Sequence, residues 1–487
     1  MVRQLVAYED RMPQELELRG EDMTSFSPQF SPFAKRMMAE DLPPIFIDTF
    51  AYYYDQLVKG QTGLISEADI HPVQDLPDSE MLPDKYRAIG DRALAQTAVI
   101  KLNGGLGTSM GLEQAKSLLV IKNGLTFLDI IAQQSLNMGV PLILMNSFAT
   151  HQDSLDLLEG YPELWGDLPL DFIQHKAPKV NQADFSPVCW PDNPEFEWCP
   201  PGHGDIYTSL VTSGILDKLL EAGYQYAFVS NADNLGAVVD RGILGYFVEH
   251  DLPFMMEVAD RTRMDRKGGH LAQRADGRLV LREVAQCPQE DLATFQDISR
   301  HKYFNTNNLW LHLSALKEVM VERNYRLGLP MIRNAKTVDP RDPDSTPVYQ
   351  METAMGTAVS VFPEAEAMRV PRSRFAPVKR TDDLLAVRSD AYTLTEEFHI
   401  VPSGRRQMRR FVVTLDDSYY KFVTDLDEHF PHGAPSLVNC KHFEVTGPFH
   451  FGRDVVCQGV VRLVNESEET KCIADGTLLS SDSQDNA

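Results

Sequence analysis

Hydrophobic spacing along the chain changes near residue 97 and again near residue 390. In the first part, apolar residues recur at mixed three- and four-residue steps, as in Phe33-Ala34-Lys35-Arg36-Met37-Met38 and in Ile45-Phe46-Ile47-Asp48-Thr49-Phe50-Ala51-Tyr52-Tyr53-Tyr54. That spacing predicts helices with one buried stripe. Residues 1–95 are therefore expected to form a helical segment packed on a larger domain.

From Thr97 the texture is different. Thr97-Ala98-Val99-Ile100-Lys101-Leu102, Pro141-Leu142-Ile143-Leu144-Met145 and Tyr226-Ala227-Phe228-Val229-Ser230 are short β-branched and aliphatic runs. Helical patterns separate them, at residues 126–138 and 209–222. Apolar strands alternating with helices predict an α/β fold with a sheet covered on both faces, and ligands in such folds sit at the carboxyl ends of the strands. Residues 96–395 are expected to be this domain. Beyond it, Phe443, Val445, Phe449, Phe451, Val455, Cys457, Val461 and Leu463 form short alternating stretches punctuated by Gly447, Gly452 and Gly459. Residues 396–480 are therefore expected to be a β-rich appendage, a small β-solenoid or β-sandwich, and the polar residues 481–487 a disordered tail.

Charge and composition narrow the function. The net charge of -24 over 487 residues offers no basic field for nucleic acid. A few lysines focused in one cleft remain compatible with a phosphate ligand. No apolar run approaches the roughly 18 residues of a membrane span, and the first twenty residues lack the apolar core of a secretory signal. Six cysteines without a CxxC pair suit reduced thiols. A cytoplasmic protein that meets neither membrane nor nucleic acid is the expectation.

The strongest local feature is Lys101-Leu102-Asn103-Gly104-Gly105-Leu106-Gly107-Thr108-Ser109-Met110-Gly111, with Lys116 following. Glycines let backbone N–H groups approach a phosphate closely, and the lysine adds a cation. Two familiar loops do not fit. A dinucleotide fingerprint from Gly105 needs glycine where Met110 stands, and a Walker loop ending at Lys116-Ser117 needs glycine at Met110 and Ala115.

This segment resembles the signature of the UDP-sugar pyrophosphorylases of the eukaryotic UDP-glucose type. Further motifs follow in that family's order: Pro200-Pro201-Gly202-His203-Gly204-Asp205, Ser230-Asn231-Ala232-Asp233-Asn234, Lys267-Gly268-Gly269, Phe304-Asn305-Thr306-Asn307-Asn308, Gln350-Met351-Glu352 and Val370-Pro371-Arg372-Ser373-Arg374-Phe375-Ala376-Pro377-Val378-Lys379. Ala115 departs from the family, which usually has proline before this lysine. Relatives that use N-acetylhexosamines or a broad range of sugars tend to carry arginine after the loop threonine. Ser109-Met110 favours the glucose branch. A non-catalytic sensor on the same fold would be expected to have lost a lysine or the metal ligand.

The resemblance implies a Rossmann-like nucleotidyltransferase core with a mixed, mostly parallel sheet, preceded by the helical region and followed by a β-helix-like appendage. It implies that UTP and glucose 1-phosphate are joined into UDP-glucose and pyrophosphate. Lys116 and Lys379 are expected to be catalytic, with Mg²⁺ on Asp233. Leu102, Asn103, Gly104 and Gly105 are expected on the uridine side, with Gln174 and Gly202 facing the base. His203 and Asn231 are expected to orient sugar phosphate and nucleotide, and Asn307, Asn308 and Glu352 to meet sugar hydroxyls. A homo-oligomer formed through the C-terminal β module is a further expectation.

Overall fold

The structure, a computed structural model, describes residues 26–406 and 411–480. The tail at 481–487 and the start of the helical segment, residues 1–25, lie outside the described residues. The chain folds into two compact units, each assembled from three stretches. The first comprises Met1–Thr97, Phe172–Phe228 and Arg241–Val370, the second Ala98–Asp171, Val229–Asp240 and Pro371–Ala487.

In the first unit, the apolar spacing at residues 45–54 becomes the helix Pro44–Val58. Pro44 stands in its first turn, where a missing N–H costs nothing. Phe46, Ile47, Phe50, Tyr53, Tyr54 and Leu57 are buried in one cluster with Phe33 and Met37 of the helix Ser31–Ala39. Each such side chain contributes roughly 1.5–3 kcal/mol through burial. Tyr53 and Tyr54 donate their hydroxyls to the carbonyls of Leu329 and Phe185, so neither is buried unpaired.

The strand Phe254–Asp260 runs antiparallel to Tyr303–His312 and parallel to Glu366–Arg369. The helices Lys85–Ala93 and Arg241–Glu249 cross nearby at glycines. A Cβ on Gly90 would lie 1.8 Å from the Arg241 carbonyl oxygen, and one on Gly245 1.7 Å from that of Tyr86. No side chain fits either position. The helical pattern read at 209–222 is interrupted: Ile206–Thr212 and Ile215–Glu221 are separate helices, because Gly214 takes a left-handed conformation between them.

The second unit holds a parallel pair, Thr97–Leu102 beside Leu142–Asn146, with Val99 opposite Leu142. Their crossover helix, Phe127–Met138, starts at a capping box between Thr126 and Asp129 and ends at left-handed Gly139. The Ser436–Thr446 strand is flanked in parallel by Val412–Leu415 and Val456–Val464, and Leu478–Ser480 lies beyond. Phe449–Phe451 and Lys471–Ile473 form a second parallel pair. Phe443, Val445, Phe449, Phe451, Cys457, Val461 and Leu463 from the alternating stretches are buried. The fold is α/β with mixed strand pairing. Among the described residues no helix is long and apolar enough to cross a membrane.

Candidate active site

The candidate residues divide between the two units. In the second, the strand Thr97–Leu102 delivers the chain into the glycine-rich loop. Gly107 has a φ of 67°, and a Cβ there would lie 3.2 Å from Cγ of Lys116. The lysine stem therefore packs directly on the loop, and the Lys116 N–H donates to the Gly105 carbonyl at 3.0 Å. Gly105 has open space where a Cβ would stand. Asn103 points its amide inward, donating to Asn146 and Ser154 at 2.8 Å each. Asn103 thus anchors the start of the loop to the interior.

Asp233 follows the strand Tyr226–Asn231. Its Oδ2 accepts from the Lys116 ammonium at 2.7 Å, across a separation of 117 residues. Its Oδ1 is buried and has no hydrogen-bond partner. A carboxylate oxygen left without a donor beside a cation-lined loop suits a hard divalent cation completed by water and phosphate oxygens. Among the described residues, no cluster of three or more His, Cys, Asp or Glu side chains could hold a metal by itself. A cation here would thus rest on Asp233 and on what the substrate supplies. Asn231 is half-buried at the end of the same strand, and Leu102 accepts from the Ala232 N–H at 3.0 Å.

Lys379 lies on the same unit. The N–H of Val378 donates to the Asp233 carbonyl at 3.2 Å, which joins the two segments. The Asp383 carboxylate accepts the N–H groups of Lys379 and Arg380 at 2.8 and 3.0 Å, just ahead of the helix Thr381–Arg388. Burial raises the pKa of Asp383, opposed by those two bonds and by the charges of Arg380 and Lys116. The Lys379 side chain itself is exposed, its ammonium 5.9 Å from the Phe375 ring centre.

Two residues of this unit escaped the sequence reading. Asp383 follows Lys379 by the spacing of a helix cap, which is a readable signal. Lys101 is 2% exposed, and its ammonium donates to Ser230 Oγ at 2.7 Å and to the Ala237 carbonyl at 2.8 Å. Its signal was a lysine inside an otherwise apolar strand.

In the first unit, Gly202 has a φ of 81°, and a Cβ there would meet the Thr353 carbonyl oxygen at 2.4 Å and the Glu352 Cβ at 3.0 Å. Gly202 and Glu352 are therefore neighbours. Burial raises the Glu352 pKa, with Asn334 and Lys336 opposing. His203 Nδ1 accepts the Met355 N–H at 3.0 Å. That bond leaves the proton on Nε2, which is then a donor. Burial pushes the His203 pKa down to about 4.

The folded pKa of His203 lies below the ordinary value of 6.5. Its neutral form therefore contributes fully above about pH 6.5, and that contribution is lost as pH falls through about 4. An NMR titration of the ring, assigned with His203→Gln, is expected to show a midpoint near 4. A midpoint near 6.5 would mean that the ring is solvated and not held as a neutral donor.

Asn307 and Asn308 differ in environment. The Phe254–Asp260 and Tyr303–His312 register skips between Glu257–Asn308 and Val258–Asn305, so Thr306 and Asn307 bulge out. Asn307 has a φ of 59°, and its Oδ1 accepts from Asn305 at 2.7 Å. Asn308 is buried, and its amide donates to Glu257 at 2.9 Å beside Trp310. Gln174 is half-buried and directly follows the strand Asp171–Ile173.

A sequence model of the UTP–glucose-1-phosphate uridylyltransferase family matches residues 47–458. The chain is 39% identical over 433 residues to the UTP–glucose-1-phosphate uridylyltransferase of Solanum tuberosum, covering 86% of this chain and 88% of that one. Against the Saccharomyces cerevisiae protein of the same name it is 40% identical over 393 residues, covering 79% and 77%. A Leishmania major UDP-glucose pyrophosphorylase solved in open and closed structures has 42% identity and a TM-score of 0.86, covering 94% of this chain and 99% of that one. A mutant of the Leishmania major enzyme in complex with UDP-glucose gives the same identity, TM-score and coverage.

Proposed function

This chain belongs to the UTP–glucose-1-phosphate uridylyltransferase family, and from that membership we propose that Lys116, Asp233 and Lys379 do its phosphate chemistry. It transfers the uridylyl group of UTP to glucose 1-phosphate, giving UDP-glucose and pyrophosphate. A phosphate oxygen of the sugar attacks the α-phosphorus in line, and pyrophosphate leaves. The nucleophile is already an anion at neutral pH, so no general base is needed. The barrier is one of charge, and positioning with neutralisation lowers it.

One observation carries the assignment of roles. The Lys116 ammonium on the glycine-rich loop and the Asp233 carboxylate share a bond of 2.7 Å, and the other Asp233 oxygen is buried without a partner. Mg²⁺ held by Asp233 would supply a Lewis acid for the α-phosphoryl oxygens. Lys116 binds the UTP phosphates, and the backbone of Leu102, Asn103, Gly104 and Gly105 takes the nucleotide. Lys379 stabilises the α-phosphoryl group as charge builds. Asn231 orients the nucleotide.

The amide of Gln174 pairs with the imide edge of uracil through one donor and one acceptor, beside Gly202. His203 donates from Nε2 to the sugar phosphate. Asn307 and Glu352 meet sugar hydroxyls, and Asn308 shapes that strand through Glu257.

A coupled assay tests the substrate pair. UTP with glucose 1-phosphate is expected to give the highest kcat/KM among nucleoside triphosphates and sugar 1-phosphates. A preference of about tenfold, or 1.4 kcal/mol, for N-acetylglucosamine 1-phosphate would overturn the glucose assignment.

A further inference from the structure

We propose that Asn234 is a positioning residue that sets the distance between the Asp233 carboxylate and the Lys379 ammonium. This rests on the roles given above to those two groups. Asn234 is 2% exposed and follows Asp233 directly. Its Oδ1 accepts the Ala376 N–H at 3.0 Å, and its Nδ2 donates to the Arg374 carbonyl at 3.1 Å. Its backbone pairs with Pro377 in an isolated antiparallel bridge.

The amide is suited to this place by its chemistry. Ala376 presents an N–H and Arg374 a carbonyl, so the partner must accept at one atom and donate at another. Aspartate offers acceptors only and would face the Arg374 carbonyl without a proton. Leucine could satisfy neither group, at a cost of roughly 1–3 kcal/mol for the buried Arg374 carbonyl.

Other contacts close the same seam. Val378 N–H donates to the Asp233 carbonyl, and the Arg374 guanidinium donates to the Val238 carbonyl at 2.9 Å. A Cβ on Gly236 would stand 2.4 Å from the Ser373 carbonyl oxygen. The segment bearing Asp233 and the segment ending at Lys379 are thus held backbone to backbone, with one buried side chain at the centre. Lys379 has an exposed ammonium on a flexible stem, so its reach depends on where this seam places its backbone.

The test is a double-mutant cycle on the full chain. Asn234→Asp is expected to lower kcat about tenfold to a hundredfold, as a displacement of about 1 Å would. KM for UTP should stay within about threefold. In a Lys379→Ala background the same change should cost less than about threefold more, because a positioning residue has nothing left to position. Gly236→Ala, which wedges the seam without altering a polar group, should reproduce the kcat loss. It also decides the matter if Asn234→Asp does not fold, as judged by urea unfolding. Fully additive losses in the cycle would overturn the proposal, as would a kcat within threefold of the parent in the folded variants. If Lys379→Ala itself keeps near-parental activity, the role of Lys379 fails and this inference falls with it. If Lys379→Ala is impaired and the seam variants are not, only the inference fails.

Discussion

Replacing Lys379 by alanine is expected to lower kcat by about 10²–10³, roughly 3–4 kcal/mol of transition-state stabilisation, with little change in KM for UTP. The backbone at this position is held on both sides. Val378 donates to the Asp233 carbonyl, and Asp383 accepts the Lys379 N–H. The Lys379 backbone is thereby held next to the segment that carries the Asp233 carboxylate. A group that acts mainly as charge accumulates on the α-phosphoryl affects turnover more than ground-state binding. Arginine should rescue poorly, because a planar fork does not replace a compact point charge. Steady-state kinetics of Lys379→Ala, Lys379→Arg and Lys379→Gln decide this. If Lys379→Gln keeps more than about a third of kcat, a loss under roughly 0.7 kcal/mol, the lysine is only a surface charge, and Lys116 and Asp233 carry the chemistry without it.

Asp233→Asn is expected to reduce Mg²⁺-dependent turnover by about 10³ or more while the protein stays folded. The substitution conserves shape but removes the anion. One oxygen then no longer balances the Lys116 ammonium at 2.7 Å, and the buried Oδ1 is no longer half of a carboxylate suited to a cation. Both partners are partly exposed, at 16% and 21%, and urea unfolding of the variant checks that the fold is kept. Titration of Mn²⁺ by electron paramagnetic resonance, with UTP present, supplies a readout independent of turnover. The expected result is weaker Mn²⁺ binding in the variant. Parental Mn²⁺ affinity together with near-normal activity in Mg²⁺ would take Asp233 out of the metal site.

Some of the site was legible in the chain because its signals are local. Glycines at 104, 105, 107 and 111 after an apolar strand mark a backbone built for close approach. Pro200-Pro201-Gly202 announces a constrained turn, and Gly202 indeed has a positive φ. Other roles were invisible for the opposite reason. Asn103 and Asn308 look like ligands in a motif, yet their amides serve the interior. Asn103 anchors the loop on Asn146 and Ser154, and Asn308 satisfies Glu257. Which way an amide turns depends on partners supplied by distant residues, and no local pattern encodes them.

The chain by itself determined the α/β character, the helix at residues 45–54 and the strands near 97, 142 and 226. These follow from hydrophobic period and turn chemistry within a few residues, and the order of motifs along the chain identified the family. The tertiary structure alone decided how those pieces become a site. It placed Lys116 on Asp233 across 117 residues, left one carboxylate oxygen without a donor, and chose the His203 tautomer through the Met355 N–H. It also divided the sheet-forming segments into two units that interleave along the chain. A salt bridge, an unpaired atom and a proton's position are properties of what surrounds a group. That surrounding is assembled from segments more than a hundred residues apart, and it exists only once hydrophobic burial has brought them together.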